Sequence, residues 1–362
     1  MNNPNRHIET MAPKAQSWAF PQDLEAIADL AKKDLLGLEG GRLFITGGTG
    51  FIGCWLLECL RHAERRFGLR LQTTILTRSV DAFRQKAPHL VEHPSFTFIS
   101  GNIQDFDFPD GAFSHIVHAA ADASAKLNAE DPLRMFDTVV SGTRRALAFS
   151  VASKAERLLH LSSGAVYGRQ PSDVSHIDEQ WMGAPDCCAP VNAYAEAKRA
   201  AEMLCAIYGK QCGVEISIAR IFAVLGPYQT LDAHFAAGNF INDAMHGRTV
   251  VVQGDGRACR SYLYAGDLVV WLLRLLVRGE PGRAYNVGSS ESVTIGELAA
   301  RVAALIGRGD YTILGAADAG WNPGRYTPST ATIERDLGVA RTVSLDEAIL
   351  RTAAWNGWKR CR

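Results

Sequence analysis

A tyrosine and a lysine at helical spacing are the residues of this chain best suited to chemistry. Tyr194 and Lys198 stand in the string Tyr-Ala-Glu-Ala-Lys, and residues at i and i+4 share one face of a helix. A free tyrosine has a pKa of about 10 and exchanges protons poorly at neutral pH. We expect the ammonium of Lys198 to lower the pKa of Tyr194, which suits the pair to acid–base work at a carbonyl group.

A serine upstream of this pair completes the group. Ser163 follows the apolar, β-rich run at residues 158–162, which the pattern predicts as a buried strand. The carboxyl end of a parallel strand is where such sheets present ligand groups. Because Tyr-x-x-x-Lys pairs also arise by chance on amphipathic helices, the serine is the observation that makes Ser163, Tyr194 and Lys198 the predicted catalytic residues.

A glycine-rich string at residues 47–53 follows the predicted strand at 43–46. Its glycines recur as G-x-x-G-x-x-G, and it lacks the Gly-Lys-Ser/Thr ending of a P-loop. Such glycines let the chain turn sharply and let a pyrophosphate reach the main chain, while the following helix supplies free N–H groups. The string therefore predicts a dinucleotide site, the alternative being a tight turn that binds nothing. The residues expected to bind the cofactor are Gly47, Thr49, Gly50, Phe51, Ile52 and Gly53.

The residues after the second predicted strand, at 73–77, bear on the choice between nicotinamide cofactors. In NAD sites an acidic residue there accepts the ribose hydroxyls, whereas in NADP sites an arginine receives the 2′-phosphate. Here Arg78 and Ser79 follow the strand, and Asp81 comes only later. We therefore expect NADP(H), with NAD(H) as the alternative if Arg78 stacks on the adenine or is a solvated surface charge.

Helical and strand-like segments alternate along most of the chain. Residues 21–38 have helical spacing behind a proline, and from residue 42 short apolar strands alternate with helices. This order predicts an α/β fold, a Rossmann-like doubly wound parallel sheet with a smaller C-terminal substrate-binding lobe. We divide the chain into an N-terminal helical extension at 1–40, an NAD(P)-binding Rossmann domain at 41–222 plus about 260–288, and the lobe at 223–259 plus 289–362.

Composition limits the binding partners and the cellular compartment that we expect for this protein. Lys plus Arg and Asp plus Glu both count 38, so no net field attracts nucleic acid or an anionic membrane. The eight cysteines form no C-x-x-C pair, which predicts no metal and a reducing, cytoplasmic setting. The first residues lack the apolar stretch of a signal peptide, and the apolar run at 263–277 is broken by Asp267 and Arg274. We expect a soluble protein without nucleic-acid or membrane partners.

Ordered strings from about residue 42 onward resemble the extended short-chain dehydrogenases/reductases, in the NAD-dependent epimerase/dehydratase family that acts on nucleotide sugars. They include the glycine string, Ser-Ser-Gly-Ala-Val-Tyr-Gly at 162–168 and Tyr-x-x-x-Lys. The resemblance implies an NAD(P)-dependent nucleotide-sugar oxidoreductase. In it Ser163 hydrogen-bonds the substrate oxygen, Tyr194 exchanges its proton and Lys198 holds the nicotinamide ribose.

Two further strings fit the cofactor side of the same resemblance. His-Ala-Ala-Ala at 118–121 resembles the segment that passes beneath the cofactor, and Gly-Asn-Ile at 101–103 resembles the segment that meets the adenine. Asn102 stands where the family more often has Asp, and an amide can still bond a base edge. The cofactor contacts implied here are Asn102, Ile103, Ala119, Ala120 and Ala121.

The substrate side of the resemblance lies mainly in the C-terminal lobe. Arg260 resembles the arginine that grips the substrate diphosphate, and Arg325 resembles a second one; two guanidiniums suit a diphosphate because each can bond its oxygens in a bidentate fashion. Ala223 and Val139 stand where the family usually has Asn, which leaves the pose of the sugar open. The substrate contacts implied are Ser163, Ala223, Arg260 and Arg325.

The residues after Ser163 bear on the reaction. The 4,6-dehydratases of the resemblance carry an Asp-Glu pair there, and Gly164 and Ala165 cannot move a proton. Dehydration and decarboxylation of a sugar uronate are therefore disfavoured. A 4-epimerase with one tightly held NAD and a 4-ketoreductase that consumes NAD(P)H remain, and Arg78 favours the second.

We therefore expect 4-ketoreduction of an NDP-4-keto-6-deoxyhexose, in the manner of a dTDP-4-dehydro-6-deoxyglucose reductase. A 4-epimerase is the alternative, and a non-catalytic dinucleotide-binding sensor is a remote one. Relatives often pair through the two long helices of the sheet domain, which implies a homodimer.

Overall fold

Helices and parallel strands alternate over the first two thirds of the chain. The computed structural model describes residues 20–121, 125–231, 235–316 and 324–359. The helices are α1 (Phe20–Leu30), α2 (Lys32–Leu36), α3 (Phe51–Phe67), α4 (Val80–Lys86), α5 (Pro88–Val91), α6 (Ala125–Glu130), α7 (Pro132–Ala152), α8 (Ala193–Cys212), α9 (Ala236–Met245), α10 (Ala265–Arg278), α11 (Ile295–Ile306), α12 (Ala331–Leu337) and α13 (Leu345–Trp355). The strands are β1 (Arg42–Thr46), β2 (Gln72–Thr77), β3 (Phe96–Ser100), β4 (His115–His118), β5 (Arg157–Ser163), β6 (Glu215–Ile221), β7 (Val224–Leu225), β8 (Val250–Val252), β9 (Cys259–Ser261), β10 (Leu263–Tyr264), β11 (Ala284–Val287), β12 (Ser292–Thr294), β13 (Tyr311–Ile313) and β14 (Arg325–Tyr326).

A seven-stranded sheet forms the centre of the fold, in the order β11-β6-β5-β4-β1-β2-β3. All its neighbouring strands run parallel. The chain leaves β1 toward β2 and β3 on one side and returns to β4 on the other, so a topological switch point lies between β1 and β4. The carboxyl ends of the strands at such a point form a ligand crevice. The predicted Rossmann-like doubly wound sheet is confirmed.

Alternating strand residues bury both faces of this sheet. Leu43 and Ile45 of β1 lie in the core cluster that contains the apolar face of α3 and α10, whereas Phe44 lies in the cluster with Leu147 of α7 and Cys205 of α8. Successive side chains of a strand point to opposite faces, and a parallel sheet needs helices on both. Because both faces are covered, the strands appear in the sequence as short runs of apolar residues.

The smaller lobe is built from short strands. One three-stranded sheet has the order β12-β9-β14, and β13 pairs with β8 in another. The apolar run at 263–277 forms β10 and most of α10, whose residues are largely buried in the protein core. No helix in the described part of the chain is both long and apolar enough to cross a bilayer. The division of the chain into domains stays a prediction.

The leading helix α1 belongs to the protein core. It packs on α3 and α10 through Leu24 and Ile27, which are 2% and 3% exposed. The carboxylate of Asp23 accepts hydrogen bonds from Tyr264 of β10 at 2.5 Å and from Arg351 of α13 at 2.6 Å. The predicted helix at 21–38 is thus present as α1 and α2, and residues 1–19 of the predicted extension lie outside the described residues.

Replacing Leu24 with Ala should lower the free energy of unfolding by about 2–5 kcal/mol, because a buried leucine leaves a cavity. Leu30 of the same helix is 45% exposed, and Leu30→Ala should change that free energy by less than about 0.5 kcal/mol. Denaturant unfolding of the full chain measures both. Equal effects of the two substitutions would show that α1 does not dock as described.

Candidate active site and cofactor site

The structure brings Ser163, Tyr194 and Lys198 together at one end of the sheet. Ser163 is the last residue of β5, and Tyr194 and Lys198 lie in the first two turns of α8, which packs on that strand. The hydroxyl of Ser163 lies near that of Tyr194, and the Lys198 ammonium lies 5.9 Å from the centre of the Tyr194 ring. The three residues form one cluster, and their catalytic role stays a prediction.

Burial controls the protonation of Tyr194. It raises the pKa of Tyr194, and the neighbouring Ser163 hydroxyl lowers that pKa only in part. The expectation that Lys198 would bring this pKa below its ordinary value is wrong, because the lost hydration of a buried phenolate outweighs the neighbouring groups. Tyr194 is a neutral phenol at neutral pH, so it has a proton to donate.

Buried polar partners hold the Lys198 ammonium. Its Nζ donates a hydrogen bond to the Leu161 carbonyl at 2.7 Å. Burial lowers the pKa of Lys198 to about 8, while the carboxylate of Glu202 raises it. Glu202 also accepts hydrogen bonds from Ser162 at 2.6 Å and Arg220 at 2.7 Å, so it joins α8 to β5 and β6. The sequence analysis missed Glu202, although it follows Lys198 by one helical turn.

Two neutral histidines lie close to Lys198. The rings of His118 and His160 stack with centroids 5.3 Å apart. Burial, assisted by the Lys198 charge, lowers the pKa of His118 to about 3 and that of His160 well below its ordinary value. The ring nitrogens of His118 are hydrogen-bonded to Thr46 at 2.8 Å and Thr143 at 3.0 Å. Because both imidazoles stay uncharged, they add no positive charge next to the ammonium.

The glycine turn leaves a cradle that side chains would fill. Gly47 has a φ of +71°, and a Cβ there would lie 2.7 Å from the backbone of Ala119. A Cβ on Gly53 would overlap the backbone of Gly47 and Gly48. Gly50 begins α3 without a side-chain cap, and the first turn holds no acidic residue. The N–H groups of Phe51, Ile52 and Gly53 are therefore open to an anion, and the turn fits a dinucleotide pyrophosphate.

The residues predicted to meet the adenosine lie around this turn. The Thr49 hydroxyl is 3.3 Å from that of Thr77, the last residue of β2. Arg78 and Ser79 follow it and are exposed, and the Ser79 hydroxyl accepts a hydrogen bond from the Ala82 N–H at 3.2 Å, which caps α4. They are on the surface beside the glycine turn, where a ribose would lie in this fold.

The other predicted cofactor residues line the crevice at β3 and β4. Ala119 and Ala120 donate their N–H groups to the carbonyl and hydroxyl of Thr46, both at 3.1 Å. Ala121 is partly buried after them, and Asn102 is exposed after β3. Ile103 is buried in the core at 8% exposure, so it offers a ligand little more than backbone. Cofactor contact by these residues stays a prediction.

Comparison with protein-family models shows which family the chain belongs to. The model described as the NAD dependent epimerase/dehydratase family matches residues 43–288, which is more than half of the chain. The chain belongs to this family. The resemblance inferred from the glycine string and from Ser163, Tyr194 and Lys198 is confirmed.

Named relatives and a solved structure place this epimerase/dehydratase enzyme among nucleotide-sugar enzymes. UDP-glucuronic acid decarboxylase 6 of Arabidopsis thaliana is 31% identical over 308 residues, with 85% of this chain and 86% of the relative covered. dTDP-glucose 4,6-dehydratase of Streptomyces niveus is 26% identical over 319 residues, with 87% and 92% covered. The crystal structure of UDP-glucose 4-epimerase from Thermus thermophilus in complex with NAD matches with a TM-score of 0.72 and 25% identity, over 87% of this chain and 99% of that one. Because these names cover three reactions, membership alone does not fix the reaction here.

In this family member the two predicted diphosphate arginines lie on adjacent short strands. Arg260 of β9 is paired with Tyr326 of β14, and Arg325 is paired with Cys259. Since strand residues alternate between faces, the backbone directs Arg260 and Arg325 to opposite faces of this sheet. Ala223 is partly buried, and its carbonyl accepts a hydrogen bond from the Leu263 N–H at 3.0 Å. Substrate contact by these residues stays a prediction.

A pocket of about 570 Å³ opens on the same lobe. It lies between α9 and the turn that leads from β8 to β9, and it includes Asn239, Asp243, Gly254 and Ala258. Ala258 is two residues before Arg260, so the pocket and the arginine are neighbours along the chain.

Tyr326 is a site residue that the sequence analysis missed. Its hydroxyl lies near that of Ser163 and donates a hydrogen bond to the Ile221 carbonyl at 3.5 Å, and its ring packs on Phe222 with centroids 4.5 Å apart. Burial raises the pKa of Tyr326, and the neighbouring Ser163 hydroxyl and the charge of Arg260 lower it in part. The string Arg325-Tyr326 was considered only for its arginine, yet the phenol is the group that reaches the serine.

The cysteines form no disulfide in the described part of the chain, where all seven are free. Cys361 lies outside the described residues. The ligand atoms of Asp186, Cys187 and Cys188 come within 4.8 Å of one another, and all three residues are exposed. Exposure of the whole group gives no closed coordination shell.

Lys198 should lose its proton as the pH rises through about 8, because burial lowers its pKa. NMR titration of protein carrying ¹⁵N-labelled lysine should show one Nζ signal with this midpoint, absent in Lys198→Met and present in the exposed-lysine control Lys33→Met. A Lys198 signal with the ordinary lysine midpoint of about 10.4 would contradict the assignment.

Proposed function

We propose that the protein reduces the 4-keto group of a nucleotide-linked 4-keto-6-deoxyhexose with NADPH, as a dTDP-4-dehydro-6-deoxyglucose reductase does. The observation that carries this proposal is a neutral Tyr194 phenol beside Ser163, with no acid at the two positions that follow Ser163. Such a site can give a proton to a ketone oxygen and has no obvious means to dehydrate or decarboxylate.

The two residues after Ser163 provide no proton-transferring side chain, and at Gly164 even a Cβ would be crowded. A Cβ on Gly164 would lie 2.6 Å from the ring of Phe222. Ala165 donates its N–H to the Ser163 hydroxyl at 3.1 Å, and its methyl group moves no proton. We therefore assign neither the dehydratase nor the decarboxylase reaction to this chain, although relatives carry those names.

The protonation of Tyr194 supports reduction over epimerisation. An epimerase first takes a proton from the C4 hydroxyl and therefore begins from a phenolate. A ketoreductase begins from a phenol, which is the form that burial favours by raising the pKa of Tyr194. Ser163 would hydrogen-bond the oxygen on which charge develops, and one such donor is typically worth about 10²–10³ in rate.

The cradle of the glycine turn would hold the cofactor. Gly47 and Gly53 leave its space, and the open N–H groups of α3 would bind the pyrophosphate. When bound, the reduced nicotinamide supplies the hydride for C4. Arg78 supports NADP(H), because an arginine after β2 can receive a 2′-phosphate, whereas the family description and the solved relative name NAD.

The chain's own residues supply the proton of this reduction. Tyr194 would give its phenolic proton to O4 while the hydride reaches C4, so the ketone becomes an alcohol and NADPH becomes NADP⁺. The Lys198 ammonium, which keeps its charge below a pKa of about 8, would stabilise the phenolate left behind. The phenolate then takes a proton from water and the site is restored.

The smaller lobe would bind the nucleotide diphosphate. Arg260 stands beside Tyr326 at the serine, and the pocket near Ala258 lies next to it along the chain. A diphosphate between these groups would leave the sugar at Ser163. The same proposal takes the enzyme to be a homodimer through the long helices α7 and α8.

A 4-epimerase is the second candidate, supported by the solved epimerase–NAD complex that this chain resembles. Such an enzyme retains its NAD through the cycle. Mass analysis of dinucleotide released by heating the purified protein separates the two, since retained NAD supports the epimerase. A non-catalytic sensor would not need Ser163, Tyr194 and Lys198 together.

The test mixes purified protein with NADPH and dTDP-4-keto-6-deoxyglucose and follows the absorbance of the reduced cofactor. Oxidation of NADPH with formation of the dTDP-6-deoxyhexose supports the proposal. No oxidation, together with interconversion of a UDP-hexose without added cofactor, would replace it with the epimerase.

Tyr194→Phe should lower kcat by about 10²–10⁴, because it removes the proton donor. Binding of the dinucleotide should persist, as measured by fluorescence titration. Tyr208→Phe, on the same helix, is the control and should leave kcat unchanged. An unchanged kcat in Tyr194→Phe would remove the proposed mechanism.

Tyr326→Phe should lower kcat about fivefold, since the Ser163 hydroxyl loses a polar neighbour, an interaction worth about 1 kcal/mol that helps to orient it. The KM for the sugar nucleotide should change little, and Tyr262→Phe provides a matched buried phenol. A rise in KM alone would instead make Tyr326 a part of the substrate pocket.

A further inference from the structure

We infer that Lys86 forms, with Arg78, a site for the 2′-phosphate of NADP(H) at the rim of the glycine turn. The inference deepens the proposed function, and rests on it only for the identity of the cofactor. Lys86 is the last residue of α4 and was not among the residues predicted to bind the cofactor.

Contacts of the described structure bring Lys86 to the turn. Its Nζ donates a hydrogen bond to the Thr49 carbonyl at 3.1 Å. The hydroxyl of Thr49 is 3.3 Å from that of Thr77, which also accepts the Ser79 N–H at 3.4 Å. Arg78 lies between these two residues. Lys86 and the segment after β2 therefore meet at one residue of the turn, where the ribose end of a dinucleotide lies in this fold.

The charge of Lys86 is not neutralised by a carboxylate. Its side chain is exposed, and its ammonium contacts the Thr49 carbonyl, lies beside the Cys54 thiol and is 5.7 Å from the centre of the Tyr228 ring. Among the described residues, no carboxylate lies within ion-pair distance of it. By contrast, Arg84 on the same helix is paired with Asp81 at 2.6 Å. An ammonium has three N–H donors, so Lys86 keeps one for an anion beyond those directed to Thr49 and Cys54.

A 2′-phosphate suits the site formed by Lys86 and Arg78 better than the two free ribose hydroxyls of NAD(H) do. An NAD site places a carboxylate after β2 to accept the ribose hydroxyls, whereas here Thr77 ends the strand and Arg78 and Ser79 follow. A dianionic phosphate accepts several charge-assisted hydrogen bonds. The contact with Thr49 already orders the Lys86 side chain, which reduces the entropy lost on binding.

The test titrates the whole protein with 2′,5′-ADP and with 5′-AMP by calorimetry. Wild type should bind 2′,5′-ADP at least about tenfold more tightly. Lys86→Gln should reduce this ratio about tenfold and leave the affinity for 5′-AMP unchanged. Lys86→Arg, which keeps the charge, and the control Arg84→Gln should retain the preference. Thermal unfolding of each variant confirms that the fold is kept.

An unchanged ratio in Lys86→Gln would overturn the inference. Equal binding of the two nucleotides by wild type, or binding of neither, would do the same.

Neither titration needs a sugar substrate, so the test of this site is independent of the test of the proposed reaction. A protein that prefers 2′,5′-ADP through Lys86 but reduces no keto sugar would overturn the proposed reaction and not this site. If the protein reduces the sugar equally well with NADPH and with NADH, and Lys86→Gln does not change this, the 2′-phosphate site is overturned and the proposed reaction is not.

Discussion

The hydrogen bond from Lys198 to the Leu161 carbonyl is the contact on which the site depends. It holds α8 against β5, and so sets the distance between Tyr194 on the helix and Ser163 on the strand. The ammonium can remain in the interior because Glu202 balances its charge and the neighbouring histidines are neutral. The same burial keeps Tyr194 protonated, so the positioning of the site and its protonation have one cause.

Elements far apart in the chain complete the surroundings of the serine. The Rossmann sheet provides Ser163 at a strand end, and the small sheet of the C-terminal lobe brings Tyr326 and Arg260 to the same place. Phe222 closes the side next to Gly164. Ser163 therefore has neighbours both from the central sheet and from the small sheet of β12, β9 and β14.

Sequence alone predicted what depends on local spacing. The parallel strands, the glycine turn and the helical face of Tyr194 and Lys198 follow from periods of two and 3.6 residues. The sign of the Tyr194 pKa shift could not be predicted, since it depends on burial by strands distant in sequence. Tyr326 was missed for a related reason: β14 has two residues and shows no periodicity. Lys86 likewise reaches Thr49 only through tertiary packing.

The pairing of Asp23 with Arg351 joins the first described helix to the last. The family match begins at residue 43, yet α1 covers apolar surface of α3 and α10 that lies inside the matched region. A shortened chain that starts at the family boundary would expose this surface to water and remove the Asp23 carboxylate from Tyr264 and Arg351, so that Arg351 would keep only Glu347. A chain boundary taken from the family match would therefore remove α1, which is part of the cooperative folding unit. We expect a protein expressed from that boundary onward to aggregate.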